Sequence, residues 1–173
     1  MKNRTEYLLP VAGLPLGITH YTFDLGLAFF KMFGSDEVED ADIRVSLNIT
    51  KHAGMIELDF TFGGWFGVMC DRCGDNYHQA VEGNERLILK YGDHYEEESD
   101  EIILIPAELH EFDVSPFLFE FAILLLPVRR IHPDREDGSP GCNTQALHLL
   151  GQMSASATTD PRWDALKNLD LNT

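Results

Sequence analysis

Ile43-Arg44-Val45-Ser46-Leu47-Asn48-Ile49, followed a few residues later by Ile56-Glu57-Leu58-Asp59-Phe60-Thr61-Phe62, carries the clearest periodicity in the chain. Both stretches place an apolar side chain at every second position, the period of a strand with one face covered and the other wet. Lys51-His52-Ala53-Gly54 between them reads as a hairpin loop in which glycine can take a positive φ. Two such neighbours imply an antiparallel sheet with one solvated face. Upstream, Tyr21, Phe23 and Leu25 alternate with Thr22 and Asp24 in a further half-buried strand. Leu27 to Phe33 reads as one or two helical turns ending at Gly34, and Tyr7-Leu8-Leu9-Pro10-Val11 as a short edge strand, where proline is tolerated. Downstream, Gly64-Trp65-Phe66-Gly67-Val68-Met69 predicts a third strand whose glycines permit a bulge or a close backbone approach. Tyr77 to Tyr91 predicts a long extended segment with Leu87, Leu89 and Tyr91 on one face. Glu101-Ile102-Ile103-Leu104-Ile105 predicts a short strand stopped by Pro106.

The period then changes. Asp113-Val114-Ser115-Pro116 has the chemistry of a helix start, with an aspartate to accept from orphan N–H groups and proline in the first turn. Phe117, Leu118, Phe121, Leu124 and Leu125 follow at helical spacing until Pro127. Phe119, Ala122 and Ile123 are apolar too, so this helix is expected to be buried against the sheet, with Glu120 on its one wet stripe. From His132 to Thr159 periodicity is weak apart from Ala146 to Leu150, and the stretch reads as loop and linker. Asp160-Pro161-Arg162-Trp163-Asp164-Ala165-Leu166-Lys167-Asn168-Leu169 predicts a short amphipathic helix, a docking element or a piece of packing. The fold class is therefore α+β: a mainly antiparallel β-sheet, open or curled into a partly closed barrel, packed with one buried helix and a short C-terminal helix. A core over residues 1–135, carrying a Cys-x-x-Cys knuckle, would be followed at 136–173 by a second half-site for that knuckle, a linker and that helix.

At 173 residues and 44% hydrophobic, the chain is long enough for one domain with a proper core. Its formal charge of −16, from 29 acidic residues against 13 lysines and arginines, opposes sequence-independent attraction to a phosphate backbone. A nucleic-acid contact would need a local basic patch, or the partner is a basic protein. Two acidic runs, Asp36 to Asp42 and Asp93 to Glu101, read as solvated loops. Three cysteines make no disulfide framework. The first residues hold no apolar core of signal-peptide length. The longest apolar run, Phe117 to Leu126, is broken by Glu120 and falls short of the ~20 residues of a membrane span. These features predict a soluble, cytoplasmic protein with no membrane partner. With no Walker loop, no GxGxxG and no nucleophile elbow, a nucleotide partner and serine hydrolysis are unsupported.

Cys70-Asp71-Arg72-Cys73-Gly74 is the stretch with the most chemistry. Two thiolates at this spacing can grip one tetrahedral cation from a tight turn, and the turn falls between two expected strands. Cys142 is the one further cysteine, and His132 lies ten residues before it. Closed by His132 and Cys142, the Cys70/Cys73 knuckle would be a full structural Zn²⁺ site with no open position; the alternative is a set of unliganded thiols. A thiol-disulfide protein cycling Cys70 and Cys73 is a second possibility, weakened by the hairpin context, since a thioredoxin-type motif opens a helix. A metal-dependent hydrolase would need an open coordination position and a general base, and no HExxH-like spacing supports one.

Taken in order, several motifs resemble the YceD-like family, the large ribosomal RNA subunit accumulation proteins. They are the Cys-Asp-Arg-Cys knuckle, the acidic loop, Phe112-Asp113-Val114-Ser115-Pro116 through Glu120 to Leu126-Pro127, the ligand-bearing region, and the terminal Asp160-Pro161-Arg162-Trp163 with Leu166 and Leu169. The resemblance runs from about Ile43 onward. It implies a non-enzymatic bacterial or organellar factor for synthesis, processing or stability of large-subunit (23S) ribosomal RNA. The implied partner is the precursor large subunit, through 23S rRNA, a basic ribosomal protein, or both; an acidic adaptor for such a protein is the alternative. Many members carry several cysteines after the helix, the first near the place of His132 and the last near Cys142. This chain keeps one ligand-type residue at each place and lacks those between, which leaves a Cys₃His set. Candidate contact residues are Arg72, Arg129, Arg130 and Arg135, then Arg162, Trp163 and Lys167. Arginine bridges phosphates, and tryptophan stacks on an unpaired base or fills a protein groove. Each also has a plain reading as surface charge or packing.

Overall fold

The computed structural model describes residues 4–155. Its centre is the alternating passage, folded as β3 (Asp40–Lys51) and β4 (Met55–Met69), which pair antiparallel with Val45 opposite Phe62 and Ile49 opposite Leu58. From Ile43 to Ile49 and from Ile56 to Phe62, no apolar residue of either alternation is more than 2% exposed. Each large side chain so covered contributes roughly 1.5–3 kcal/mol relative to exposure. β2 (Gly17–Gly26) pairs outside β3, and β5 (Asn76–Gly92) outside β4, completing a four-stranded meander.

The chain next skips a strand position. β6 (Glu96–Ser99) runs back as the outer edge, and β7 (Ile102–Pro106) fills the gap, parallel to β5 and antiparallel to β6. The strand order is thus β2-β3-β4-β5-β7-β6, and among the described residues β5–β7 is the one parallel pair. The end strands β2 and β6 do not meet, so the sheet is open and the barrel variant is not formed.

Two strand readings need correction. Gly64 to Met69 is not a separate strand but the second half of β4, which continues through the glycines in register with β3. Gly64 stands opposite Ile43 at φ 153, and a Cβ there would collide with the Asp42 carbonyl oxygen. Glycine thus preserves the pairing instead of interrupting it. The second acidic run is not all loop: Glu96 to Ser99 form an exposed edge strand, and carboxylates along an edge discourage further pairing.

Helices cover the apolar face. A 3-10 turn (Arg4–Tyr7) leads into β1 (Leu8–Leu9), which pairs antiparallel with β8 (Phe112–Asp113). Lys51, at the end of β3, donates to the Val11 and Leu14 carbonyls and holds this N-terminal segment down. α1 (Leu27–Met32) ends before Gly34, which takes the left-handed φ of 72. α2 (Ser115–Leu124) begins as expected, with Asp113 Oδ1 accepting from the Ser115 N–H at 2.8 Å. Phe121 meets Phe60 edge-on at 5.6 Å, and Phe119 stacks on Phe33 at 4.6 Å.

α2 is not covered all round. Leu118, Phe121 and Ala122 are buried, but Leu124 is 74% exposed and Glu120 lies on the open side. Among the described residues nothing lies beyond the helical layer to cover the outer flank. The loop reading after His132 also fails in part, because Thr144–Ala155 forms α3. Asn143 Oδ1 caps it, accepting from the N–H groups of Gln145 and Ala146. The helix expected at Asp160 to Leu169, with Arg162, Trp163 and Lys167, lies outside the described residues.

Candidate metal centre

β4 ends at Met69 and β5 starts at Asn76, so Cys70 to Asp75 form the tip of the longest hairpin. Cys70 N–H donates to the Asp75 carbonyl and Gly74 N–H to the Cys70 carbonyl, both at 2.9 Å. Gly74 closes the turn at φ 79, where any side chain would be strained. The Arg72 N–H points at the Cys70 sulfur, 3.4 Å away. The tip thereby turns both sulfurs inward.

Two backbone arms reach this tip from the far side of α2. Asp71 is tied reciprocally to Arg130: its N–H donates to the Arg130 carbonyl at 2.7 Å, and its Oδ2 accepts from the Arg130 N–H at 2.6 Å. Asp75 Oδ2 accepts from Asn143 Nδ2 at 3.0 Å, immediately after Cys142. The arms cross where Gly141 lies against Pro133; a Cβ on Gly141 would collide with the Pro133 carbonyl oxygen. The His132 ring rests on Tyr77 of β5, centroids 4.6 Å apart.

One donor atom each from Cys70, Cys73, His132 and Cys142 then lies within 4.8 Å of all the others. The Cys70 and Cys142 sulfurs are 3.8 Å apart, and the Cys73 sulfur is 3.5 Å from His132 Nδ1. A tetrahedral Zn²⁺ with its usual bond lengths places two thiolates about 3.8 Å apart and a thiolate and an imidazole nitrogen about 3.6 Å apart. Both measured edges fit. A disulfide, at about 2.05 Å between sulfurs, does not, and all three thiols are free. Burial alone would raise the Cys70 thiol, but the backbone N–H groups of His132, Cys73 and Arg72 aimed at it outweigh that and bring it down to about 6. Cys142 moves the other way, raised by burial and then by the neighbouring Cys70 sulfur. The set can hold one tetrahedral cation with every position filled by protein, the arrangement of a structural site.

The basic candidates divide. Arg72 is exposed on the tip and Arg129 is exposed beside Asp71's partner, so both project near the cluster. Arg130 is drawn partly inward and pairs with Glu37 at 3.5 Å. Arg135 is exposed on the strap between the arms. The residues that sequence reading missed are the supports: Asp71, Asp75, Tyr77, Gly141 and Asn143. Asn143 did carry a signal, an N-cap residue directly after a ligand and before the apolar row at Ala146 and Leu147.

Among the described residues no helix is long and apolar enough to cross a membrane. Residues 58–170, well over half of the chain, match the family model described as "Large ribosomal RNA subunit accumulation protein YceD". No curated protein and no solved structure matches.

Proposed function

Because the chain belongs to the YceD family of large ribosomal RNA subunit accumulation proteins, we propose that it is a non-enzymatic, cytoplasmic ribosome-biogenesis factor. It supports synthesis, processing or stability of 23S ribosomal RNA, and a structural Zn²⁺ on Cys70, Cys73, His132 and Cys142 fastens its long hairpin. The family match carries the reading. It spans the hairpin tip, α2 and all four donor residues, so the segment shared with the family is the one that the cation would join. The donor set supports zinc over harder cations, because three sulfurs and one imidazole suit a borderline-soft ion. When bound, the ion would supply a cross-link and no Lewis-acid chemistry, because no coordination position is left for a substrate.

Arg72 and Arg129 beside the clasp, with Arg130, Arg162, Trp163 and Lys167, are the proposed contacts to the precursor large subunit. The −16 charge confines any RNA contact to such a patch. Depleting the protein from cells that encode it should lower 23S relative to small-subunit RNA, and re-expression should restore it. Unchanged 23S on depletion would remove the role. Purified parent should carry one zinc per chain, and Cys73→Ser and His132→Ala should lose it. If instead the metal-free parent forms a reversible Cys70–Cys73 disulfide, the redox reading replaces the structural one.

A further inference from the structure

An open groove of about 860 Å³ lies between the β5–β7–β6 corner and α2, on the side of the helix left uncovered by the sheet. Its floor is apolar, with Ile103, Phe117, Phe121 and the exposed Leu124. Its walls are carboxylates: Glu85, Glu97, Asp100, Glu101, Glu111 and Glu120. None of these six lies within ion-pair distance of a lysine or arginine among the described residues, although five carboxylates outside this set are so paired. Among the described lining residues the one lysine or arginine, Arg86, is held by Asp59 at 2.7 Å.

One of the carboxylates stands where the local pattern calls for an apolar residue, and a second faces it from the wet stripe of α2. Glu85 continues the inward row of Val81, Gly83, Leu87 and Leu89 and lies opposite Phe60 in register. It is half-buried, which penalises an unpaired charge. Glu120 is the lone charge of α2. Leaving Glu85 unpaired beside an apolar floor costs stability in the free chain, and a cation between it and Glu120 would offset that cost.

The geometry points to this groove as the seat of a lysine- and arginine-rich segment of a partner protein. Its cationic side chains lie between the Glu85 and Glu120 walls, and an apolar side chain rests on Leu124. The inference deepens the reading above, on which it rests for the partner's identity as a basic ribosomal protein. Phosphate-bearing RNA is excluded from this surface by like charge, whereas a basic peptide finds both halves of its own chemistry. The volume suits a few side chains, as in a short extended segment.

The test is fluorescence anisotropy of the full chain at low salt with a short labelled peptide in which arginines and lysines flank leucine. The parent should bind it. The isosteric pair Glu85→Gln with Glu120→Gln should weaken binding about tenfold and Leu124→Ser a few-fold, while Glu82→Gln on the opposite, wet face of β5 should leave it unchanged. Denaturant midpoints of all variants should stay near the parent's, so lost binding is not lost folding. No peptide binding, an equal loss in Glu82→Gln, or binding of a labelled RNA oligonucleotide in the peptide's absence that Leu124→Ser weakens would each overturn the proposal. A chain that supports 23S accumulation but binds no cationic peptide overturns the groove alone. One that binds the peptide but supports no accumulation overturns the family role alone.

Discussion

In the middle of β4, Phe60 is held by packing: strands on both sides, Phe121 above, and 1% of its surface in water. At the tip of the same hairpin, Cys73 is held by a turn, an imidazole 3.5 Å away and two polar ties to other parts of the chain. The first environment is made of many weak contacts spread over three elements, and loss of any one is shared among the rest. The second depends on a few directional contacts that converge on one point. The sheet should therefore unfold as a unit, while the clasp should open on its own at lower cost.

The largest effect expected is at the packed end. Phe60→Ala leaves a void that the neighbouring strands cannot close, and should cost about 3–5 kcal/mol. Urea unfolding should show a lower midpoint with an unchanged slope. A loss under 1 kcal/mol would mean that the sheet core is as loosely held as the tip, and the contrast would fail.

Breaking the clasp comes next. Cys73→Ser, or removal of the metal with a chelator, should abolish tight zinc binding and raise hydrogen exchange at least ~tenfold at the Asp71 and Leu147 amides, while β3 and β4 amides stay protected. Acid should do the same to the parent. With Cys142 above its ordinary value, protons compete with the ion for that sulfur already at neutral pH, and with Cys70 at about 6 they compete for the second sulfur as pH falls through 6. In the metal-free chain the lowered Cys70 thiol favours the folded clasp fully above its ordinary value of 9.0, and that contribution fades as pH drops to about 6. If β3 and β4 lose protection together with the tip, the two regions form one cooperative unit.

This difference also decides what could be read from residues alone. The period-2 rows of β3, β4 and β5 are legible because burying one face is a local, repeating requirement on the chain. The sulfur and imidazole donors are legible as residue types, because few other residues bind a soft cation. Their convergence is not written in any window of sequence: it depends on Asp71 meeting Arg130 and on Gly141 letting two arms cross. The slot filled by β7 was hidden for a similar reason, since nothing in Ile102 to Pro106 says on which side of β6 it will lie. α3 was hidden because its apolar row is short and no buried face demands it; its cap, Asn143, gives it away only once Cys142 is placed.

Gly141→Ala sharpens the contrast with a smaller perturbation. The added Cβ collides with the Pro133 carbonyl oxygen, so the arms must separate by shifting backbone, at a cost of about 1–3 kcal/mol. That cost should fall on metal affinity, measured by competition with a chromogenic chelator, and leave the urea midpoint of the zinc-free protein unchanged. A midpoint shift with unaltered affinity would place the crossing in the core instead of in the clasp.

The gentlest variant separates charge from geometry at the tie itself. Asp71 is exposed, and its Oδ2 accepts from the Arg130 N–H at 2.6 Å while its own N–H serves the Arg130 carbonyl. Asp71→Ala removes the acceptor but keeps the backbone half of the pair, so about 0.5–1.5 kcal/mol should disappear from zinc affinity. Asp71→Asn retains an oxygen in the same place and should recover most of it, because the partner is a neutral amide and needs an acceptor more than a charge. Exchange at the Arg130 amide should rise in Ala and stay near the parent's in Asn. Were Asn as damaging as Ala, the carboxylate would be acting through its charge on the nearby arginines, and the tip would be an electrostatic junction and not a hydrogen-bonded one.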